Sequence, residues 1–183
     1  MSTETELAEL RKTVQYLKDR QDILDLIYRE ARGRDRHDTA LTASCYWPEG
    51  MDEHGPVPFS FKEYPELANK QHVAGFAANC HNIVNHNCEL DGDNAYCESY
   101  VIGGLLSPDQ KTCTLAPGRY IDHVQRRNGA WRILWRRSIV DMVSTGDASW
   151  LTSEPLKGFL KGARSKEDAS YQRPIKIDGT GPR

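Results

Sequence analysis

The sequence predicts an α+β domain in which N-terminal helices pack on one face of a strongly curved antiparallel sheet. Apolar residues recur at three- and four-residue intervals through the first 34 positions, then alternate with polar ones from about residue 80 to 142. Two turn signals, Asp91-Gly92-Asp93 and Asn128-Gly129, punctuate the alternating half where hairpins would reverse. At 183 residues the chain suits one domain with its own core and is short for two.

Leu7, Leu10, Val14, Leu17, Leu24, Tyr28 and Ala31 share one stripe broken only by Gln21, which predicts one long helix or two in tandem ending near Gly33. Ile23, Leu26 and Ile27 widen the apolar face, so the second half is expected to enter the domain. Residues 1–20 then form a helical arm, against a partner subunit or in solvent. Thr39 to Tyr46 reads as a second helix, stopped at Trp47-Pro48 because proline disfavours helix in the preceding residue. Pro48, Pro56 and Pro58 restrict any strand between Met51 and Phe61 to a short, edge or bulged one. Lys62 to Ala78 reads as a third helix with Tyr64-Pro65 near its first turn.

Residues 80–90, 94–103, 112–126 and 130–142 read as four strands, so the main domain is expected over 21–143. In the extension, 144–183, Trp150, Leu151, Leu156, Phe159 and Leu160 are placed to dock as a short helix. The last 15 or so residues are expected to form an extended arm, ordered only where a subunit interface holds it.

With 24 Lys and Arg against 26 Asp and Glu, the formal charge of -2 offers no footprint for nucleic acid or an anionic membrane. Five cysteines without a CxxC pair read as reduced thiols of a cytosolic protein. An acidic N-terminus and the lack of an 18-residue apolar run point to a cytoplasmic location without export or anchor. No GxGxxG, GxSxG, Walker, HExxH or EF-hand pattern occurs. His37, His54, His72, His81, His86 and His123 show no specific ligand spacing. His81 and His86, five apart on a strand, are expected to point to opposite faces. Neither a metal nor a cofactor is expected.

Acid-base chemistry remains. Asp35 at a helix end and His81 on a strand are placed to meet across the mouth of a helix-on-sheet cone. A carboxylate bonded to one ring nitrogen fixes the tautomer and raises the basicity of the other, as a general base requires. The plain alternative is a hydrogen-bonded structural histidine.

The succession Tyr28, Gly33-Arg34-Asp35-Arg36, Cys45-Tyr46-Trp47-Pro48-Glu49-Gly50, His81, Leu90-Asp91-Gly92-Asp93, Gly118-Arg119-Tyr120-Ile121-Asp122 and Gly129-Ala130-Trp131-Arg132-Ile133 resembles SnoaL-like proteins of the nuclear transport factor 2-like superfamily over about residues 20 to 142. The resemblance implies a cone of helices and curved sheet around an apolar pocket. It also implies the Asp-His dyad of enzymes such as scytalone dehydratase and hexachlorocyclohexane dehydrochlorinase, with His81 as base and Asp35 as its orienting partner. Tyr28 is then a candidate donor to a substrate oxygen, though its place on the apolar stripe suits packing. His54 falls where the dehydratases place a carbonyl-polarising tyrosine, and Asp52 and Glu53 beside it suit a solvated turn equally well. Tyr46 and Trp47 are candidate pocket walls.

One arginine of Arg136 and Arg137 is expected to reach the pocket, to bind an anionic substrate or Asp141. Without a bulge, Trp131, Ile133, Trp135, Arg137, Ile139 and Asp141 share one face of the last strand. The second pocket histidine of the dehydratases is missing from residues 95–104, leaving Tyr100 or Glu98 as substitutes. The expected function is a small-molecule lyase or isomerase acting on an apolar cyclic or aromatic substrate, as a homodimer or homotrimer. The alternatives are a non-catalytic β subunit of a ring-hydroxylating dioxygenase and a non-enzymatic ligand binder.

Overall fold

In the computed structural model the described residues are 2–175; residues 176–183, part of the expected C-terminal arm, lie outside them. Helix α1 (Thr3–Asp35) runs unbroken, with the Ser2 side chain accepting from the Thr5 N–H, acidic Glu4 and Glu6 in its first turn and basic Arg32 and Arg34 in its last. Its buried face is Ile23, Leu26, Ile27, Glu30, Ala31 and Arg34. The stripe of Leu7, Leu10, Val14, Leu17 and Tyr28 is 45–58% exposed, contrary to a core role for Tyr28. In the second half Ile23, Leu26 and Ile27, expected to widen the apolar face, are buried together with Ala31 of the stripe.

Helix α2 (Thr39–Ser44) is capped by Asp38, which accepts from the Leu41 N–H at 3.2 Å. It ends before Tyr46, which opens strand β1 (Tyr46–Glu53) instead of closing the helix, and whose ring is buried. Strand β2 (Pro58–Ser60) and helix α3 (Tyr64–Gly75) follow. The meander comprises β3 (Ala78–Asp91), β4 (Asn94–Leu106), β5 (Thr112–Arg127) and β6 (Ala130–Val140), with β7 (Ser144–Asp147) added beside β5. The β5–β6 turn places Asn128 and Gly129 at φ 51° and 78°, the left-handed pair that matches strand twist in a tight hairpin.

The seven-stranded sheet has the order β2-β1-β6-β5-β4-β3 and does not close. It is mixed rather than wholly antiparallel, since β1 pairs β6 in parallel. No hairpin joins these two strands, so their relative sense is not constrained by a turn. Two bulges shift which residues face inward. In β3, Val84 and Asn85 together oppose Tyr100, between the pairs Ile83–Val101 and His86–Ser99. In β6, Leu134 is the extra residue between Ile133–Val124 and Trp135–His123. Leu26, Ile27, Tyr46, Cys88, Val124 and Ile133 belong to the core between α1 and the sheet.

The expected C-terminal helix does not form. Pro155 and Gly158 interrupt the stretch, Trp150, Phe159 and Leu160 are exposed, and short 3-10 turns replace it. Residues up to 171 are nevertheless pinned within the chain. Buried Asp168 accepts from the N–H groups of Ala163 (2.8 Å) and Ser170 (2.9 Å) and pairs with Arg36 at 3.2 Å. Tyr171 donates to Asp38 and Arg164 to the His72 carbonyl. Among the described residues no helix is long and apolar enough to cross a membrane.

Candidate active site

Asp35 is the last residue of α1, and His81 lies near the start of the edge strand β3 that packs against this helix end. The His81 Nδ1 lies 2.7 Å from Asp35 Oδ1, and the His81 main-chain N–H donates to Oδ2 at 3.1 Å. Asn79 adds a longer donation to Oδ1 at 3.4 Å. The carboxylate is therefore held by side chain and backbone together. With Nδ1–H given to an ionised carboxylate, the lone pair resides on Nε2.

A groove of about 240 Å3 is bounded by Tyr28, Ala31, Asp35, Arg36, His81 and Ile83. Asp35 and Arg36 also border a cavity of about 720 Å3 whose far wall is the C-terminal segment, including Leu151, Leu156 and Arg164. A third space, about 770 Å3, lies beside Cys88 and Cys97 and includes neither dyad residue.

Deeper in the cone is a cluster of buried charges. Arg136 donates from Nε and Nη2 to Asp122 at 2.7 and 2.9 Å, from Nη1 to Glu30, and stacks over Tyr120 at 4.2 Å. Burial pushes the Asp122 carboxyl up, against the pull of Arg136. Asp52, fully buried, accepts from the Tyr46 hydroxyl at 2.7 Å and is pushed up to about 6 by burial, against Arg136 and Arg34. Arg34 stacks over Tyr64 at 4.7 Å and lies 3.8 Å from Glu30, and its Nε and Nη1 are buried with no hydrogen-bond partner.

The remaining sequence candidates divide. Tyr28 reaches the dyad groove. His54 bonds Ser138 Oγ through Nδ1 at 2.7 Å and packs on Tyr64; burial, then Arg34, pushes it down to about 2. Tyr46 belongs to the core and the Asp52 contact rather than to a pocket wall. Trp47 sits between the Arg127 and Arg132 guanidinium groups and donates to the Gln125 carbonyl, away from the dyad.

Arg136 is the inward member of its pair, but two carboxylates already neutralise it; Arg137 faces out to Glu53. The Leu134 bulge separates Trp131 and Ile133, which are buried, from exposed Trp135 and Arg137, so the expected common face does not exist. Asp141 pairs with Arg119 outside the pocket, as does Glu98. Tyr100 alternates with buried Ser99 and Val101 and is 41% exposed, so neither it nor Glu98 substitutes for a pocket acid.

Sequence reasoning missed Arg34, Glu30, Asp122 and His72. Glu30 and Arg34 are four apart on the same face as Ile23 and Ile27, a readable sign that both charges turn inward. His72, from α3, stands with its ring centroid 5.8 Å from that of His81, and burial, then Arg34, pushes it down to about 3. The histidine nearest His81 thus comes from a helix rather than from β4.

The profile of the family described as SnoaL-like domain matches residues 15–137. Among solved structures the fold is similar to hexachlorocyclohexane dehydrochlorinase LinA-type3 from Novosphingobium barchaimii LL02, with a TM-score of 0.67 and 18% identity over 73% of this chain and 94% of that one. It is also similar to a protein provisionally named scytalone dehydratase from Novosphingobium aromaticivorans, with a TM-score of 0.65 and 16% identity over 72% and 90% of the chains. An ntf2-like protein with a cystatin-like fold from the same organism gives a TM-score of 0.65 and 16% identity over 74% and 90%. These likenesses establish the nuclear transport factor 2-like fold. No curated protein matches the chain in sequence.

Proposed function

The chain belongs to the SnoaL-like domain family, and from that membership we propose that it is a lyase or isomerase removing a proton from carbon in an apolar cyclic or aromatic substrate. His81 is the base through Nε2, and Asp35 orients it and stabilises the imidazolium that forms. The observation that carries the reading is the 2.7 Å Asp35–His81 contact at a groove, with the same carboxylate held by the His81 backbone N–H.

In an elimination, Nε2 takes the proton, the C–H electron pair becomes the new C=C bond, and the leaving group departs with its own bonding pair. In an isomerisation the proton returns to a different carbon. Arg136 has no free charge to offer, and Arg34, buried behind the groove, has its Nη1 3.8 Å from Glu30. His72, held neutral, is a hydrogen-bond donor rather than a charged acid. A good leaving group such as chloride fits this arrangement, and a neighbour named as a dehydrochlorinase supports it. Assembly as a homodimer or homotrimer belongs to the same reading, supported by exposed Tyr96, Tyr100, Ile121 and Trp135 on the outer face of the sheet.

The test uses hexachlorocyclohexane and a panel of cyclic ketones in D2O, reading chloride release and deuterium incorporation. Turnover is expected, with His81→Ala and Asp35→Asn each reducing it by roughly 10²- to 10⁴-fold without loss of fold. Full activity of His81→Ala would sink the proposal. Independently of substrate, 15N NMR should show His81 protonated at Nδ1, and a wild-type Nε2–H tautomer would contradict the dyad.

A further inference from the structure

The β3 bulge brings a second set of side chains to the inner face of the same strand. Beyond Val84 and Asn85, His86 and Cys88 turn inward, and Cys97 on β4 is the direct cross-strand partner of Cys88. We propose that His86, Cys88 and Cys97 form a zinc(II) site with two thiolates, one imidazole and one open position.

Three observations support it. One ligand atom from each residue can be taken such that all three lie within 4.8 Å of one another. A tetrahedral zinc with Zn–S of about 2.3 Å and Zn–N of about 2.0 Å needs donors roughly 3.5–3.8 Å apart, within reach by small side-chain rotations. His86 Nδ1 is engaged at 2.8 Å by Ser99 Oγ, while its Nε2 is buried with no hydrogen-bond partner. With Nδ1–H donated to Ser99, the Nε2 lone pair is free to coordinate, the usual outer support of a metal-bound histidine.

Buried cysteines commonly serve as small apolar residues, but that role gives no account of a buried imidazole nitrogen left without a partner among them. On binding, the two thiols release two protons, and zinc with two thiolates and a neutral imidazole carries no net charge. That balance suits a buried site. The three ligands lie on two adjacent strands, so the ion would clip the β3–β4 hairpin.

This site is distinct from the Asp35–His81 dyad and is tested without reference to turnover. Reduced, chelator-treated protein is titrated with zinc against a chromophoric chelator, and with cobalt(II) to read the thiolate-to-metal charge-transfer band. One equivalent is expected, with thiolate bands and a raised unfolding temperature. Cys88→Ala, Cys97→Ala and His86→Gln should each weaken binding at least tenfold, and Cys113→Ala should leave it unchanged. His86→Gln keeps both thiols and much of the side-chain volume, covering the case in which a cysteine variant fails to fold. Absence of binding, a cobalt spectrum without thiolate bands, or undiminished binding in His86→Gln would overturn the assignment.

Discussion

Asp52→Asn probes the buried charge cluster through a single proton. The wild-type carboxyl is raised from its ordinary 3.8 to about 6, with burial outweighing Arg136 and Arg34. At about 1.4 kcal/mol per pKa unit, keeping it ionised costs the folded state about 3 kcal/mol relative to the unfolded chain. Because the folded pKa lies above the unfolded one, the native state binds more protons between about pH 4 and 6, and stability falls as pH rises through that window. Asparagine cannot ionise and still accepts from the Tyr46 hydroxyl.

Urea unfolding of both proteins from pH 4 to 8 gives the difference in stability directly. Its expected course moves in favour of the variant by about 3 kcal/mol over pH 4 to 6 and is level above. A difference independent of pH would refute the raised pKa. The opposite slope would show that Arg34 and Arg136, rather than burial, govern this carboxyl.

Arg136→Met leaves Asp122 buried without its cation and Glu30 with only the longer Arg34 contact, and a loss of about 3–5 kcal/mol is expected at pH 7 in urea unfolding. The loss should shrink as pH falls, because burial already pushes the Asp122 carboxyl up toward its neutral form. In Gly118→Ala the new Cβ would lie 2.1 Å from the Ile139 carbonyl oxygen, a backbone atom that cannot turn aside. The β5–β6 pair must shift apart, and thermal unfolding followed by circular dichroism should show a loss of about 1–3 kcal/mol or more.

Element types were legible because helical and strand periods persist over long stretches, and Asn128-Gly129 marks its hairpin directly. The buried side of the second half of α1 was legible in Ile23, Leu26, Ile27 and Ala31, whereas Tyr28, on the same expected stripe, is exposed. The sense of β1 against β6 was hidden because no turn joins them. Asp35 and His81 could be paired through the resemblance, whereas Asp52 and Asp122 are short charged residues that look solvated until opposing elements close over them. The β3 bulge did leave a trace: the inward apolar positions shift from odd-numbered Ile83 to even-numbered Cys88 and Leu90.

That one-residue shift works as a change of reading frame within the strand. Strict alternation through Val84 and Asn85 at the present length would leave the dyad segment in place while rotating His86, Cys88 and Leu90 toward solvent, whereas removing Asn85 would take away the bulge and keep all three inward. No single substitution at those three positions reproduces that rotation. Along this strand, then, the bulge acts on a whole face, while a substitution acts on one side chain at a time.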